Sequence, residues 1–515
     1  MPETATSLTP GAPSKDIPVD HPTWLHDIRH MFSPVDKAHM KSVMGLDLSN
    51  YKEVRGLSGD IYGQVAMGKM PPSDPWPEAW VETYLNWMKA GYPKGVPATM
   101  SPVSEAEFAA GTKPERMRKD AATLTDAEIE KVIRAFDRMM TLDPSEPNSY
   151  FVQAGLHWFP APLYCQHHVP GYNPWHRAYL LSFENAMRSI PGCEDVTLPY
   201  WDITKPIPDF LQEGPLKAYT LQADAGPGFK KGYTTERYAI DEIYHNIFNK
   251  YKIPSKIHTA LSALSWETFH GIFADAPNNA IISAHDSGHN SIGTTMANQE
   301  VAAFDPIFWF FHCNWDRLFW KWQNELQATS LDGLMSTIED DEISRQYFTV
   351  PALMDIQPFT DGEPGVNTVD IIDSAGSLGI GYLHPPEELL IARRPALRDT
   401  VTFGTAFNAV VDRVRVRVSG VNRLVIPGSF DVHFMVDDEI VETSSMFQPV
   451  EASTCPNCSK NALVHFDFEV PIDLIAKGKL SARVEPHNKD IIGDFVPSKL
   501  MGNPSIQISI PLADE

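Results

Sequence analysis

Asp305-Pro306-Ile307-Phe308-Trp309-Phe310-Phe311-His312-Cys313-Asn314-Trp315-Asp316-Arg317 is the stretch on which the reading of this chain turns. Across residues 303–327, Phe308, Phe311, Trp315, Leu318, Phe319 and Trp322 are apolar nearly all round, a pattern that predicts a buried central helix. A histidine in such a helix is ordinarily a satisfied core residue. His312, however, has Asp316 one turn on, a carboxylate placed to orient a ligand or to pair with Arg317.

Just upstream, His285-Asp286-Ser287-Gly288-His289 sets two imidazoles four apart, on one helical face and within reach of a single ion. That spacing alone is more often surface or core packing. Its weight grows with a second set, His157, His167 and His176. His157 and His167 lie in a Pro-rich loop, and His176 opens a helix after Asn173-Pro174 with Trp175, Tyr179, Leu180, Phe183 and Met187 on one face. His168 is read as non-ligating, because adjacent side chains point apart. The two clusters hold six of the eighteen histidines. Three neutral imidazoles without a carboxylate suit copper, zinc or iron and leave an open position on each ion. Two Glu-x-x-His pairs, Glu242/His245 and Glu267/His270, offer a competing di-iron reading, but Pro254 interrupts the segment between them and further carboxylates are not evident.

Outward from these motifs, Met1 to about Pro114 is Pro-rich with one better helix, Pro77 to Ala90. A strong helix is predicted from Thr123, with Ile129, Val132, Ile133, Phe136 and Met139 at helical spacing. A break falls at His384-Pro385-Pro386, and after Ala396 the texture changes to period two: Arg413 to Val418, Phe430 to Val436, Val464 to Val470, Leu480 to Val484 and Ile506 to Ile510. The expected architecture is a mainly α catalytic domain over 116–390, a helix bundle around a dinuclear centre. An irregular segment over 1–115 packs on it, and an all-β sandwich follows over 396–515.

The chain has 515 residues, 43% of them hydrophobic, and a formal net charge of -24 with no Lys/Arg run. That balance disfavours nucleic acid and anionic membranes as partners. Met1 to Pro22 lacks an apolar core of the signal-peptide kind, and five scattered cysteines do not form a disulfide framework, so a reducing, cytoplasmic location is expected.

The residues also carry a resemblance. His167-x4-Tyr172-x2-Trp175-His176-Arg177-x2-Leu180-x3-Glu184 and Asp305-Pro306-x-Phe308-Trp309-x2-His312-x3-Asp316 resemble the two copper-binding signatures of tyrosinases, catechol oxidases and molluscan haemocyanins, the type-3 copper family. Leu198-Pro199-Tyr200-Trp201-Asp202 is similar to a further shared segment. The resemblance implies that His157, His167 and His176 bind one copper and His285, His289 and His312 the other, with O2 as co-substrate. Arg177, Glu184, Asp305 and Asp316 are expected around the ligands.

The resemblance implies four further features. The Cys165 to His167 spacing is that of a thioether crosslink in fungal members, the alternative being a free buried thiol. The trailing β-domain resembles the C-terminal shield of latent polyphenol oxidases. Cys455-Pro456-Asn457-Cys458 is similar to a pair linked to copper loading in fungal pro-tyrosinases, the alternatives being a loop thiol pair or a structural half-site. In Ser445-Met446-Phe447-Gln448, Phe447 is the candidate placeholder plugging the metal pocket, where the alternative is packing on the neighbouring domain.

Departures from the pattern include Tyr172 for Phe, Phe311 for His, and Asp286 where monophenol-active relatives often carry Asn, with Ile281, Ile282 and Ser283 in the turn upstream. Asp286 is the candidate catalytic base. The implied activity is oxidation of o-diphenols to o-quinones, with monophenol hydroxylation and a homo-oligomeric state left open. Alternatives are an o-aminophenol oxidase and a haemocyanin-like oxygen carrier.

Overall fold

The computed structural model describes residues 13–24, 26–71, 75–90, 92–93, 115–158, 163–226, 228–271, 280–339, 341–350, 353–354, 356–361, 366–383, 413–475 and 478–509. The proline break at His384 and the change of texture at Ala396 lie outside these residues. The described residues pack as two units, one drawn from residues within 1–100, 264–266 and 322–341, and the other from residues within 101–263, 267–321 and 342–515.

The smaller unit carries α1 (Pro34–Met44), α2 (Tyr51–Gly56), α3 (Ser58–Ala66) and α4 (Glu78–Lys89). Ser33 and Asp36 form a reciprocal capping box at the start of α1, and the Asn50 side chain caps α2. Its interior is aromatic: the Tyr84 ring lies 5.7 Å from Trp76 and 5.5 Å from Trp87.

In the larger unit, α5 (Asp126–Thr141) begins three residues later than the apolar periodicity predicts. Thr125 accepts from the Glu128 N–H while the Glu128 carboxylate reaches back to Thr125, and this box fixes the boundary. Helix α6 (Tyr150–Gly155) precedes α7 (Tyr172–Arg188). Helix α7 starts ahead of Pro174 rather than after it, because a first-turn residue has no intrahelical use for an N–H. His176 therefore sits in its second turn. Then come α8 (Ile253–Leu261), α9 (Ile281–Ile292) and α10 (Ile307–Glu325), the last shorter than the predicted 303–327. The Asp305 carboxylate accepts the Ile307 N–H and so marks the start of α10.

A short parallel pair, β1 (Arg116–Arg118) and β2 (Ile380–Tyr382), brings Arg118 under the bundle. Arg118 is fully buried and bonds Glu184 of α7, Asp316 of α10 and the Tyr382 hydroxyl. Arg177 of α7 donates to the other Asp316 oxygen at 2.6 Å. Two buried guanidiniums thus meet two buried carboxylates, and removing one partner would strand a charge at a cost of about 3–5 kcal/mol.

Six antiparallel strands follow: β3 (Arg413–Asn422), β4 (Phe430–Val436), β5 (Glu439–Met446), β6 (Leu463–Pro471), β7 (Leu480–Pro486) and β8 (Ser505–Ser509). They form two three-stranded sheets, ordered β6-β3-β8 and β5-β4-β7. The period-two pattern turns Val414, Val416 and Val418 of one sheet and Phe430, Val432 and Phe434 of the other into one shared apolar cluster. Strand β5 is laid along α8 and α9: Lys252 at the start of α8 pairs with Glu442 at 2.8 Å, and Asn290 of α9 donates to Ser445. Among the described residues, no helix is long and apolar enough to cross a membrane.

Candidate metal centre

The six imidazoles converge in the interior of the larger unit, all buried. Ring centroids separate by 5.0 Å for His157 and His167 and 5.0 Å for His167 and His176. In the second cluster they separate by 4.5 Å for His285 and His289 and 5.2 Å for His289 and His312. The two clusters face each other, with His176 stacked 4.6 Å from His312. The donor nitrogens of His285, His289 and His312 all lie within 4.8 Å of one another, as do the ligand atoms of His157, Cys165 (its Sγ) and His167. The Glu242/His245 and Glu267/His270 pairs are not in the clusters of three or more donors found among the described residues.

Hydrogen bonding decides which nitrogen each ring points inward. Nδ1 of His157 meets the Gln299 carbonyl at 3.2 Å, that of His176 the Tyr172 carbonyl at 2.8 Å, and that of His289 the Met296 carbonyl at 2.8 Å. His285 Nδ1 lies 3.0 Å from Asp286 Oδ1. Carbonyls and carboxylates only accept, so in these four rings Nδ1 carries the hydrogen and Nε2 is a bare lone pair. Nε2 of His157, His167, His176 and His285 has no protein partner, and Nε2 of His289 lies 3.1 Å from Nε2 of His312. Burial pushes all six pKa values down, that of His157 to about 3, so the rings are neutral. A buried cage of neutral imidazoles, four of them with Nε2 fixed as a lone pair, suits a pair of transition-metal ions.

Local sequence explains the positioning. His285 and His289 stand one turn apart on α9, and Gly288 between them lets Phe311 of α10 lie flush on the helix. A Cβ at Gly288 would come within 2.7 Å of the Phe311 ring. Phe311 in turn packs 4.8 Å from His289, edge to face, and Phe308 lies 4.1 Å from His312. His157 is delivered by the turn that ends α6.

Several residues singled out by sequence have other immediate contacts. Asp316 bonds Arg177, Arg118 and Tyr382, and Arg317 pairs with Asp202 instead. Glu184 pairs with Arg118, and Asp305 with Arg237. These four carboxylates and guanidiniums hold the helices rather than the imidazoles. Cys165 Sγ lies 3.4 Å from His167 Nδ1. Cys455 and Cys458 are buried at the start of a short helix, where the Cys458 N–H and thiol hold the Cys455 thiol down to about 6. Burial first, and then Cys455, push the Cys165 thiol up.

Asp286 is buried and saturated. Its Oδ1 takes His285 Nδ1, and its Oδ2 takes His168 at 2.8 Å and the Phe447 backbone N–H at 3.2 Å. Burial alone would raise this carboxyl, but His168 and His285 outweigh it and hold it below the usual range. Phe447, in the turn after β5, is fully buried and lies flat on His289 at 3.8 Å and 8°. It also meets His167 and His285 edge-on at 5.5 Å and 5.8 Å. Sequence reading missed Gln299, whose carboxamide is 2.8 Å from His167 Nδ1, and Arg423, which reaches His168 from the C-terminal region. No local spacing marks either one.

Residues 147–325 match the common central domain of tyrosinase. The chain thus carries a tyrosinase-type central domain. Its relatives include a tyrosinase of Hahella sp., 24% identical over 68% of this chain and 87% of the relative, and the tyrosinase of Aspergillus oryzae, 27% identical over 67% and 87%. A haemocyanin of Enteroctopus dofleini is 28% identical over 48% of this chain and 21% of its own length. Among solved structures, the holo-protyrosinase of Aspergillus oryzae shares the fold, with a TM-score of 0.52 at 16% identity over 76% of this chain and 92% of that one. Within this tyrosinase-type domain, the two histidine clusters could hold two copper ions.

Proposed function

We propose that the protein is a polyphenol oxidase that uses O2 to convert o-diphenols to o-quinones, held latent by its C-terminal region, a β-sandwich shield over the site. The observation that carries this reading is Phe447 stacked flat on His289, an aromatic ring lodged where a phenol ring would lie. Two bound coppers, each held by one histidine cluster, supply the two-electron exchange with dioxygen.

The chain's own residues do the rest. His157, His176, His285 and His289 present Nε2 lone pairs in fixed directions, and His167 and His312 complete the two clusters. Phe308 and Phe311 keep water out, and His289 offers a face for the substrate ring to stack on. Asp286 Oδ2 accepts the phenolic proton once the Phe447 N–H has left it. The approach of Cys165 to His167 supports a thioether between them, and the nearby Cys455/Cys458 pair supports Cu(I) delivery to that side, since thiolates are soft donors.

The test is quinone absorbance from catechol under air, before and after proteolytic removal of residues beyond Ala396. Quinone that forms only after cleavage supports a latent oxidase. Reversible O2 binding without quinone in either state would instead make the protein an oxygen carrier, and preferential turnover of an o-aminophenol would change the substrate class.

A further inference from the structure

The geometry assigns His168 as a positioning residue for the second metal site, acting through Asp286 on His285 and set from the C-terminal region by Arg423. This inference rests on the dicopper reading. His168 takes a positive φ of 55° between His167 and α7, which turns its ring away from the cage that His167 faces. Its surroundings then fix every hydrogen. Arg423 Nη1 lies 3.1 Å from His168 Nδ1, and a guanidinium can only donate, so Nδ1 accepts and Nε2 carries the hydrogen. Nε2 donates to Asp286 Oδ2 at 2.8 Å, and Asp286 Oδ1 accepts from His285 Nδ1, which leaves His285 Nε2 as the inward lone pair.

The relay Arg423, His168, Asp286, His285 therefore sets the tautomer and direction of one ligand of the second cluster from a residue of the C-terminal region. Arg423 is itself fully buried and held by Gln448 at 2.9 Å and Cys458 Sγ at 3.4 Å. Asn461 fixes the other side of the turn by donating to the His168 carbonyl at 2.8 Å. The neighbour of a ligand in the first cluster thus steadies a ligand in the second. Outer partners of metal-bound histidines typically change affinity about 10- to 100-fold when removed.

The experiment is Cu(I) competition with a chromophoric chelator on the full chain, reading copper equivalents retained, together with the melting temperature of the copper-free protein. For His168→Ala and Arg423→Met we expect one of two equivalents to weaken about 10- to 100-fold while the other is unchanged. His168→Asn, which keeps a donor for Asp286, is expected to recover part of the loss. Equal weakening of both equivalents, unchanged retention of both, or a lower melting temperature with no recovery in His168→Asn would overturn the assignment. A wild-type chain that never holds two equivalents would overturn the dicopper reading, and this one with it.

Discussion

The ring of Phe447 lies flat on the imidazole of His289, 3.8 Å between centroids and 8° from parallel, while its backbone N–H bonds Asp286. One residue of the C-terminal region thus occupies both the face on which an aromatic substrate would stack and a lone pair of the carboxylate proposed to take its proton.

Phe447→Ala should therefore relieve the ring but not the backbone bond. Truncating a buried phenylalanine costs roughly 3 kcal/mol, equivalent to about 100-fold in an equilibrium. The uncut variant is expected to oxidise catechol at a rate well above the uncut wild type, yet below the cleaved protein. Quinone formation followed with and without cleavage checks this, and identical rates for the two uncut chains would refute the plug.

How much of this was legible in the sequence depends on how local the determinant is. His285 and His289 share a helix turn, so their nearness follows from period, and the apolar perimeter around His312 announces its burial; that His312 joins them was implied by the resemblance of its motif. The β-strands of residues 413–509 are likewise written in alternation, as at Val414, Val416 and Val418. What was not legible depends on pairings across more than a hundred residues. Arg423 gives no hint of His168, and Asp316 looks equally ready for Arg317 beside it or Arg177 on another helix. Only packing chose Arg177. The helix starts at Asp126 and Tyr172 escaped the periodicity because a capping box and a tolerated first-turn proline decide them.

The folded chain should lose stability in acid through Asp431, which ties β4 to Lys250 and Tyr251. This buried carboxylate of β4 accepts from the Tyr251 hydroxyl at 3.0 Å, Lys250 at 2.9 Å and the Ser445 hydroxyl at 2.6 Å. Burial would raise it, but His487 and Lys250 prevail and hold it well below the usual carboxylate range. A depressed folded-state pKa gives stability that is present above the unfolded value near 3.9 and lost as pH falls toward the folded one. Asp431→Ala, which strands the Tyr251, Lys250, Ser445 and His487 donors, is expected to lose about 2–4 kcal/mol and to expose the metal site without cleavage. Urea unfolding at pH 7 against pH 3 measures both effects.

At the other end of the pH range, Glu300 works in reverse. Burial first, and Glu451 beside it, push its carboxyl up to about 7 against the pull of the Val450 N–H. Between about 4.5 and about 7 the docked form keeps a proton that the released form has shed, so docking weakens with rising pH over that window and levels off above it. Glu300→Gln should flatten the slope, a difference of about 1–2 kcal/mol at pH 8 after screening by solvent. Denaturation midpoints of the two proteins from pH 5 to pH 8 should converge at the acid end and separate at the alkaline end.

Gln299 offers the sharpest test of the first cluster, because one residue serves two rings. Its backbone carbonyl fixes His157 Nδ1, and its carboxamide faces His167 Nδ1. A side-chain substitution removes only the second contact, since every residue supplies the carbonyl. Gln299→Leu keeps the bulk and leaves His167 free to rotate about its Cβ–Cγ bond, with Cys165 Sγ at 3.4 Å as its remaining anchor. Metal affinity of the first site is expected to fall about tenfold, while the second site and the melting temperature of the metal-free chain hold steady. If the thioether to Cys165 has formed, that covalent anchor replaces the lost contact and the effect shrinks. Chelator competition on Gln299→Leu with and without Cys165→Ser then reads out the crosslink. A double variant no weaker than the single one would show that Cys165 does not restrain the ring.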